Sequence, residues 1–256
     1  MGFPIYKEFK TTLNPGDWQG FSMGPSTLDR AYVAAYQLAK PATNSGFLEK
    51  SVFQPEWDGR QWNTVLRLQM SNDVRPQPAS VRVYEVSRMP VYKEFVTTLN
   101  PGEWQGHSMG PCDDNLPLIA AFEPMSRDGF LETHRFQPEW DGHRWNNVLR
   151  LQIAKHVQPM KLRARIYRVQ APVVNKFDAR LNGGQWTGFN LGPATLDRGY
   201  LAAYEPQRPP VNRGFLEKSR FQPEWDGRNW NNVLRLQISN DLPSLHMPTM
   251  VYGIGR

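Results

Sequence analysis

Three times along the chain a tryptophan stands between two carboxylates in a Pro-Glu-Trp-Asp-Gly stretch: Glu56, Trp57 and Asp58, then Glu139, Trp140 and Asp141, then Glu224, Trp225 and Asp226. Each stretch runs into a Trp-Asn-X-Val-Leu-Arg-Leu-Gln segment. That segment adds Asn63 and Arg67 to the first copy, Asn146 and Arg150 to the second, and Asn231 and Arg235 to the third. A sugar ring has apolar C–H faces and many hydroxyls, so an aromatic face beside paired hydrogen-bonding groups suits it. In this reading Trp57, Trp140 and Trp225 lie open and stack on sugar, while the neighbouring Glu, Asp, Asn and Arg groups select hydroxyls. The competing reading makes each stretch a hairpin, since Asp-Gly tolerates a tight primed turn. Its tryptophans then cover the core edge, and Arg67 pairs structurally with Glu56 or Glu49.

A second loop, Asn-Pro-Gly-Asp-Trp-Gln-Gly and its variants, carries Trp18, Trp104 and Trp186 among turn residues, so these indoles are expected to be less covered. They complete the candidate binding set. Nearby, Thr-Leu-Asp-Arg recurs only around Asp29 and Asp197. The second copy has Cys112-Asp113-Asp114-Asn115 there, so a site built on this loop would exist in two like forms and one divergent form.

Catalysis and metal binding have weaker support. Gly20–Gly24 and Gly106–Gly110 both match Gly-X-Ser-X-Gly, but that motif needs a strand–turn–helix to lift its serine. Here Pro25 and Pro111 follow at once, Asn190 replaces the serine in the third copy, and no histidine recurs at matching positions. Neither zinc-ligand spacing nor a calcium-loop motif occurs. The sequence therefore assigns no catalytic residue, no metal ligand and no cofactor. Repeated weak sites gain avidity by linkage, which favours binding over turnover.

The elements that must position these groups follow from repetition. Phe53–Gln69 returns at Phe136–Gln152 and Phe221–Gln237, 83 and 85 residues further on each time. The expected units are residues 5–88, 91–169 and 173–252. Each reads as about six short strands with period-2 alternation, as in Trp62–Met70, where Trp62, Leu66, Leu68 and Met70 share one face. The fold class is all-β: three tandem antiparallel repeats of about 85 residues, either β-sandwich-like modules or a single pseudo-threefold β-structure. A faint half-repeat echo raises a propeller, although each half supplies about three strands where a blade needs four. Pro248 suggests that the last strand of the third copy is an edge. The Lys161, Arg163 and Arg165 stripe reads as a solvated edge that discourages aggregation.

Composition agrees. With 39% hydrophobic and 12% aromatic residues among 22 Pro and 20 Gly, the chain can bury a core between many turns. A lone Cys112 excludes an intrachain disulfide framework. The formal charge of +6 leaves acidic partners open without indicating them, and without a recurring basic patch nucleic acid is disfavoured. No apolar run reaches the roughly 20 residues of a membrane span, so no membrane insertion is expected. The opening MGFPIYKEF has no secretory pattern, so cytoplasmic synthesis is expected, with non-classical release as a route to external glycans. The expected function is a multivalent, non-enzymatic lectin or agglutinin binding glycans or glycoproteins. The alternative is a structural or protein-interaction scaffold with the tryptophans in its core.

Overall fold

The computed structural model describes residues 2–41 and 45–255; Met1, which opens the segment read for a signal, lies outside them. The described residues form eighteen strands and no helix, hence no helix long and apolar enough to cross a membrane. The first repeat supplies β1 (Ile5–Leu13), β2 (Gln19–Pro25), β3 (Ala31–Leu38), β4 (Leu48–Trp57), β5 (Trp62–Met70) and β6 (Gln77–Val86). The second supplies β7 (Val91–Leu99), β8 (Gln105–Pro111), β9 (Leu118–Pro124), β10 (Leu131–Trp140), β11 (Trp145–Ile153) and β12 (Met160–Arg168). The third supplies β13 (Val173–Asn182), β14 (Thr187–Pro193), β15 (Arg198–Tyr204), β16 (Leu216–Trp225), β17 (Trp230–Ile238) and β18 (Ser244–Gly255).

Six three-stranded antiparallel sheets result. In the first repeat their orders are β1-β6-β3 and β2-β5-β4, and the same orders recur in the other two. Each sheet draws strands from both halves of its repeat, so a half-repeat is not a propeller blade. The two sheets of a repeat share one core, because the alternation points one face of each inward. Leu66, Leu68 and Met70 of β5 are fully buried and meet Leu13 of β1, Met23 of β2, Tyr36 of β3 and Val81 and Val83 of β6. The intervening Arg67 and Gln69 face the other way and remain partly exposed.

Two sequence expectations about edges are corrected. Pro248 lies in β18, the central strand of its sheet. A residue's N and C=O point to the same side of a strand, and the Pro248 carbonyl accepts from the Glu205 amide just past the end of β15. The missing N–H therefore faces Glu205, just past the end of β15, and costs the sheet one bond of a pair whose other bond is kept. The Lys161–Arg165 stripe likewise lies on a central strand, β12. Its arginines are matched across the sheet: Arg163 to Glu123 at 3.0 Å, and Arg165 to Glu94 at 2.7 Å and to Asp29 of the first repeat at 2.9 Å.

The repeats are not separate beads. The buried Trp62 belongs to the first repeat yet packs in the core of the second, and Trp57 packs against that same core. Trp145 and Trp140 do this in the third repeat's core, and Trp230 and Trp225 in the first's. The indole N–H groups of Trp62, Trp145 and Trp230 donate to the carbonyls of Ser126, Gln207 and Ala39 at 2.6, 2.7 and 2.7 Å. Backbone bonds run alongside: Trp57 to Gly129, Trp140 to Gly214 and Trp225 to Gly46, at 3.0–3.1 Å. The sequence first-to-second, second-to-third, third-to-first is a closed cycle. A second cycle runs the opposite way, from the hydroxyls of Tyr84, Tyr167 and Tyr252 to the carbonyls of Leu196, Leu28 and Asp114. Leu28 and Leu196 belong to the Thr-Leu-Asp-Arg loops, so these loops hold a joint. A fourth core, with Ala31, Val33, Tyr84, Ala121, Tyr167 and Ile254 among its members, draws residues from all three repeats.

Candidate functional site

The Pro-Glu-Trp-Asp-Gly stretch ends β4, and Trp57 pairs across the strands with Trp62. The connection is the four residues Asp58–Gln61, longer than the two-residue primed turn that Asp-Gly suggested. Asp58 Oδ1 accepts the amides of Arg60 and Gln61, both at 2.8 Å, while its Oδ2 takes the Asn63 side-chain amide at 2.7 Å. Gly59 follows at φ +93°, a conformation that a side chain would strain. Asp141 with Asn146 and Asp226 with Asn231 repeat this arrangement. Asn63, Asn146 and Asn231 are buried. These six Asp and Asn residues shape the hairpins.

The open indole platform expected at Trp57, Trp140 and Trp225 is not what these residues form. Each is half-buried against the next repeat, with ring centroids 5.8–5.9 Å from its cross-strand tryptophan. An indole lying between two repeats uses one face for packing and cannot offer it to a ligand.

The carboxylates that bond the hairpin amides have a consequence in acid. Backbone amides of Arg144 and His143, then the Asn146 side chain, hold Asp141 well below the usual carboxylate range, at about 2. Asp226 and Asp58 are lowered for the same reason. In the unfolded chain these groups titrate near 3.9. The folded state thus favours the ionised form, and this stabilisation is complete above about pH 4 and is lost as pH falls toward 2. We expect the urea midpoint to decline over that interval, and Asp141→Asn to shallow the decline. An unchanged acid limb in this variant would remove the assignment.

Arg67, Arg150 and Arg235 are held in forked pairs with Glu56, Glu139 and Glu224. In the first repeat, Nε and Nη2 reach the two carboxylate oxygens at 2.6 and 2.5 Å. Glycine makes this geometry accessible. Gly20 lies opposite Arg67 in the register, and a Cβ there would come within 2.9 Å of Arg67 Nη1. Gly106 and Gly188 do the same for Arg150 and Arg235. The carboxylate partner raises the pKa of Arg67, mainly through these hydrogen bonds. The pairs are only partly buried, with a third of the Arg67 side chain in solvent.

Beside these pairs lie the tryptophans that are exposed: Trp18 at 45%, Trp104 at 41% and Trp186 at 37%. The loop bearing Trp18 is fixed from below by Gln69, whose side-chain amide donates to the Gly16 carbonyl at 2.7 Å; Gln152 and Gln237 repeat the bond. Cations approach each indole: Lys50 over Trp18 at 5.0 Å, Arg135 over Trp104 at 4.8 Å, and Lys218 and Arg220 over Trp186 at 5.4 and 4.8 Å. Between the first two repeats, Trp18, Gln54, Glu56, Arg67, Phe130 and Glu132 line a groove of about 290 Å³. A larger cavity of about 600 Å³ lies where β4, β10 and β16 face one another, and it shares Trp18 and Glu132 with the groove.

Of the expected site, the structure brings Trp18, Glu56 and Arg67 together and sends Trp57, Asp58 and Asn63 to the joint and hairpin. Gln54, Phe130 and Glu132 were not anticipated. Counting back by twos from Glu56 along its strand reaches Gln54, Val52 and Lys50, so strand periodicity identifies that part of the wall. Phe130 and Glu132 come from the neighbouring repeat, which no local pattern reveals.

Several of the remaining chemistry-bearing residues have structural partners. Ser22 and Ser108 hydroxyls accept from the Gly24 and Gly110 amides at 3.1 and 3.2 Å. The His134 ring meets the Phe53 carbonyl of the first repeat, and burial lowers its pKa. Among the described residues, no group of three or more His, Cys, Asp or Glu could hold a metal ion. No protein-family model matches this chain, and neither a curated protein nor a solved structure matches it.

Proposed function

We propose that this chain is a multivalent, non-enzymatic carbohydrate-binding protein of the agglutinin type, whose recognition surface is the exposed indole of each repeat with the Glu–Arg pair beside it. The carrying observation is the threefold recurrence of an exposed tryptophan next to a forked, partly solvated carboxylate–guanidinium pair. An indole face takes the apolar side of a sugar ring. A carboxylate oxygen accepts more than one hydrogen bond, and the guanidinium keeps donors beyond the two that its Glu occupies. Adjacent sugar hydroxyls can therefore be met without breaking the pair. Glycans or glycoproteins are the partners this reading names.

A glycan array with the full chain tests the reading, followed by reversal of cell agglutination with the monosaccharide it identifies. Binding that Trp18→Ala, Trp104→Ala and Trp186→Ala each weaken is the expected result. A blank array at high protein concentration overturns it. A protein-interaction scaffold is the second reading, favoured by the packing of the other six tryptophans in joints between repeats.

A further inference from the structure

Among the strand positions at which the three tryptophan grooves diverge, one carries arginine in two repeats and valine in the first. Arg135 and Arg220 correspond in β10 and β16 to Val52 in β4. In the second repeat Arg135 lies over Trp104 at 4.8 Å, donates from Nε to Gln137 Oε1 at 2.7 Å, and feels the Glu217 carboxylate of the next repeat. In the third, Arg220 lies over Trp186, donates to the Glu49 carbonyl of the first repeat at 2.8 Å, and feels the Glu49 carboxylate. Each guanidinium thus covers one face of an indole that stays exposed, and it meets the following repeat.

At the joint between the first and second repeats this position is a valine, but the indole, the facing glutamate and the counterpart of the glutamine that Arg135 bonds remain. In the third repeat Arg220 makes no bond to Gln222. Trp18 is the most exposed of the three indoles. Gln54 is 6% exposed, and its Oε1 accepts no hydrogen bond among the described residues. Glu132, the counterpart of Glu217 and Glu49, makes no ion pair or hydrogen bond among them. All three line the groove of about 290 Å³. Arg67, directly across the strands from Val52, also escapes the like-charged neighbour that Arg150 and Arg235 have in Arg135 and Arg220.

We propose that this groove binds a guanidinium group supplied from outside, its plane on Trp18, its N–H groups to Gln54 Oε1 and its charge facing Glu132. The planar, delocalised cation stacks on indole and forks to acceptors, which a compact ammonium does less well. Lys50 does not close the site, since Lys218 and Arg220 share Trp186 in the third repeat. The inference goes beyond the carbohydrate reading and does not depend on it, because the ligand contains no sugar.

The test is a titration of the ¹⁵N-labelled full chain with N-acetyl-L-arginine amide and, separately, methylguanidinium, following the nine indole N–H resonances; Trp18→Phe assigns the first. The Trp18 signal is expected to move at millimolar ligand while those of Trp104 and Trp186 stay in place. N-acetyl-L-lysine amide binds more weakly. Glu132→Gln weakens binding about three- to fivefold, the scale of an exposed charge pair. Tighter binding of the arginine amide than of methylguanidinium assigns the source to a polypeptide, and equal binding to a free cation. Val52→Arg, tolerated at the same position in two other repeats, silences the Trp18 response. Arg135→Val opens the second groove and makes Trp104 respond. A Trp18 signal unmoved at tens of millimolar, equal movement of all three indoles, or a Val52→Arg protein that still responds would overturn the proposal.

Discussion

Trp62→Ala is expected to destabilise the entire chain by about 3–5 kcal/mol, the range for truncating a large buried aromatic. The indole is 8% exposed and lies among Leu149, Leu151 and Leu162, which belong to the repeat after its own. Alanine leaves a cavity there and strands the Ser126 carbonyl, which loses the 2.6 Å bond from Nε1. An unmet buried acceptor adds about 1–3 kcal/mol wherever water cannot reach it. The informative feature is the shape of the unfolding curve. Each repeat lends its tryptophan pair to its neighbour's core and the cycle closes, so no core is complete by itself. Urea denaturation should therefore show one transition, shifted to lower urea as a whole, with Trp145→Ala and Trp230→Ala giving similar shifts. If the repeats unfolded independently, Trp62→Ala would split the curve and leave two repeats at the wild-type midpoint. An isolated repeat, made without the neighbour that completes it, should lack a cooperative transition.

The strand plan was legible because it is local. Period-2 alternation in Trp62–Met70 follows from one buried face, and the strand spans that span with Leu66, Leu68 and Met70 inside. Strand rank within a sheet is a different matter. Pro248 and the Lys161–Arg165 stripe both carry edge-like chemistry, yet both lie on central strands. What permits this is remote: β15 ends just before Glu205, which faces Pro248, and Asp29, far along the chain, answers Arg165. The candidate site divides in the same way. Arg67 and Glu56 lie eleven residues apart on paired strands, and their ion pair was foreseen as one reading of the segment. That the hairpin's tryptophans cover a core edge was likewise one reading, but that the core belongs to the next repeat was not, because a Trp-rich hairpin has the same sequence whichever repeat it packs against. The strongest signal in the chain, the near-identity of three segments, therefore marks the joints. The specificity of each groove lies instead in Lys50–Val52, Thr133–Arg135 and Lys218–Arg220, where the copies diverge.

Under the carbohydrate reading, keeping one exposed tryptophan of the three should separate avidity from affinity. A chain carrying Trp104→Ala and Trp186→Ala retains the Trp18 groove with its Glu56–Arg67 pair untouched, because neither substitution reaches the first repeat's β2, β4 or β5. Its dissociation constant for the free monosaccharide should match the per-site value of the wild type, measured by calorimetry. Its retention on a glycan-coated surface should fall by about 10²–10⁴-fold, the gain usually supplied by linking sites within one molecule. Stability should change little, since Trp104 and Trp186 are 41% and 37% exposed and lie outside the buried cores. The comparison has two distinct ways to fail. If surface retention is unchanged, a single groove does all the binding and the repeats are not multivalent. If the monosaccharide affinity falls along with retention, the missing indoles support the remaining site structurally, and the three grooves are not separate sites.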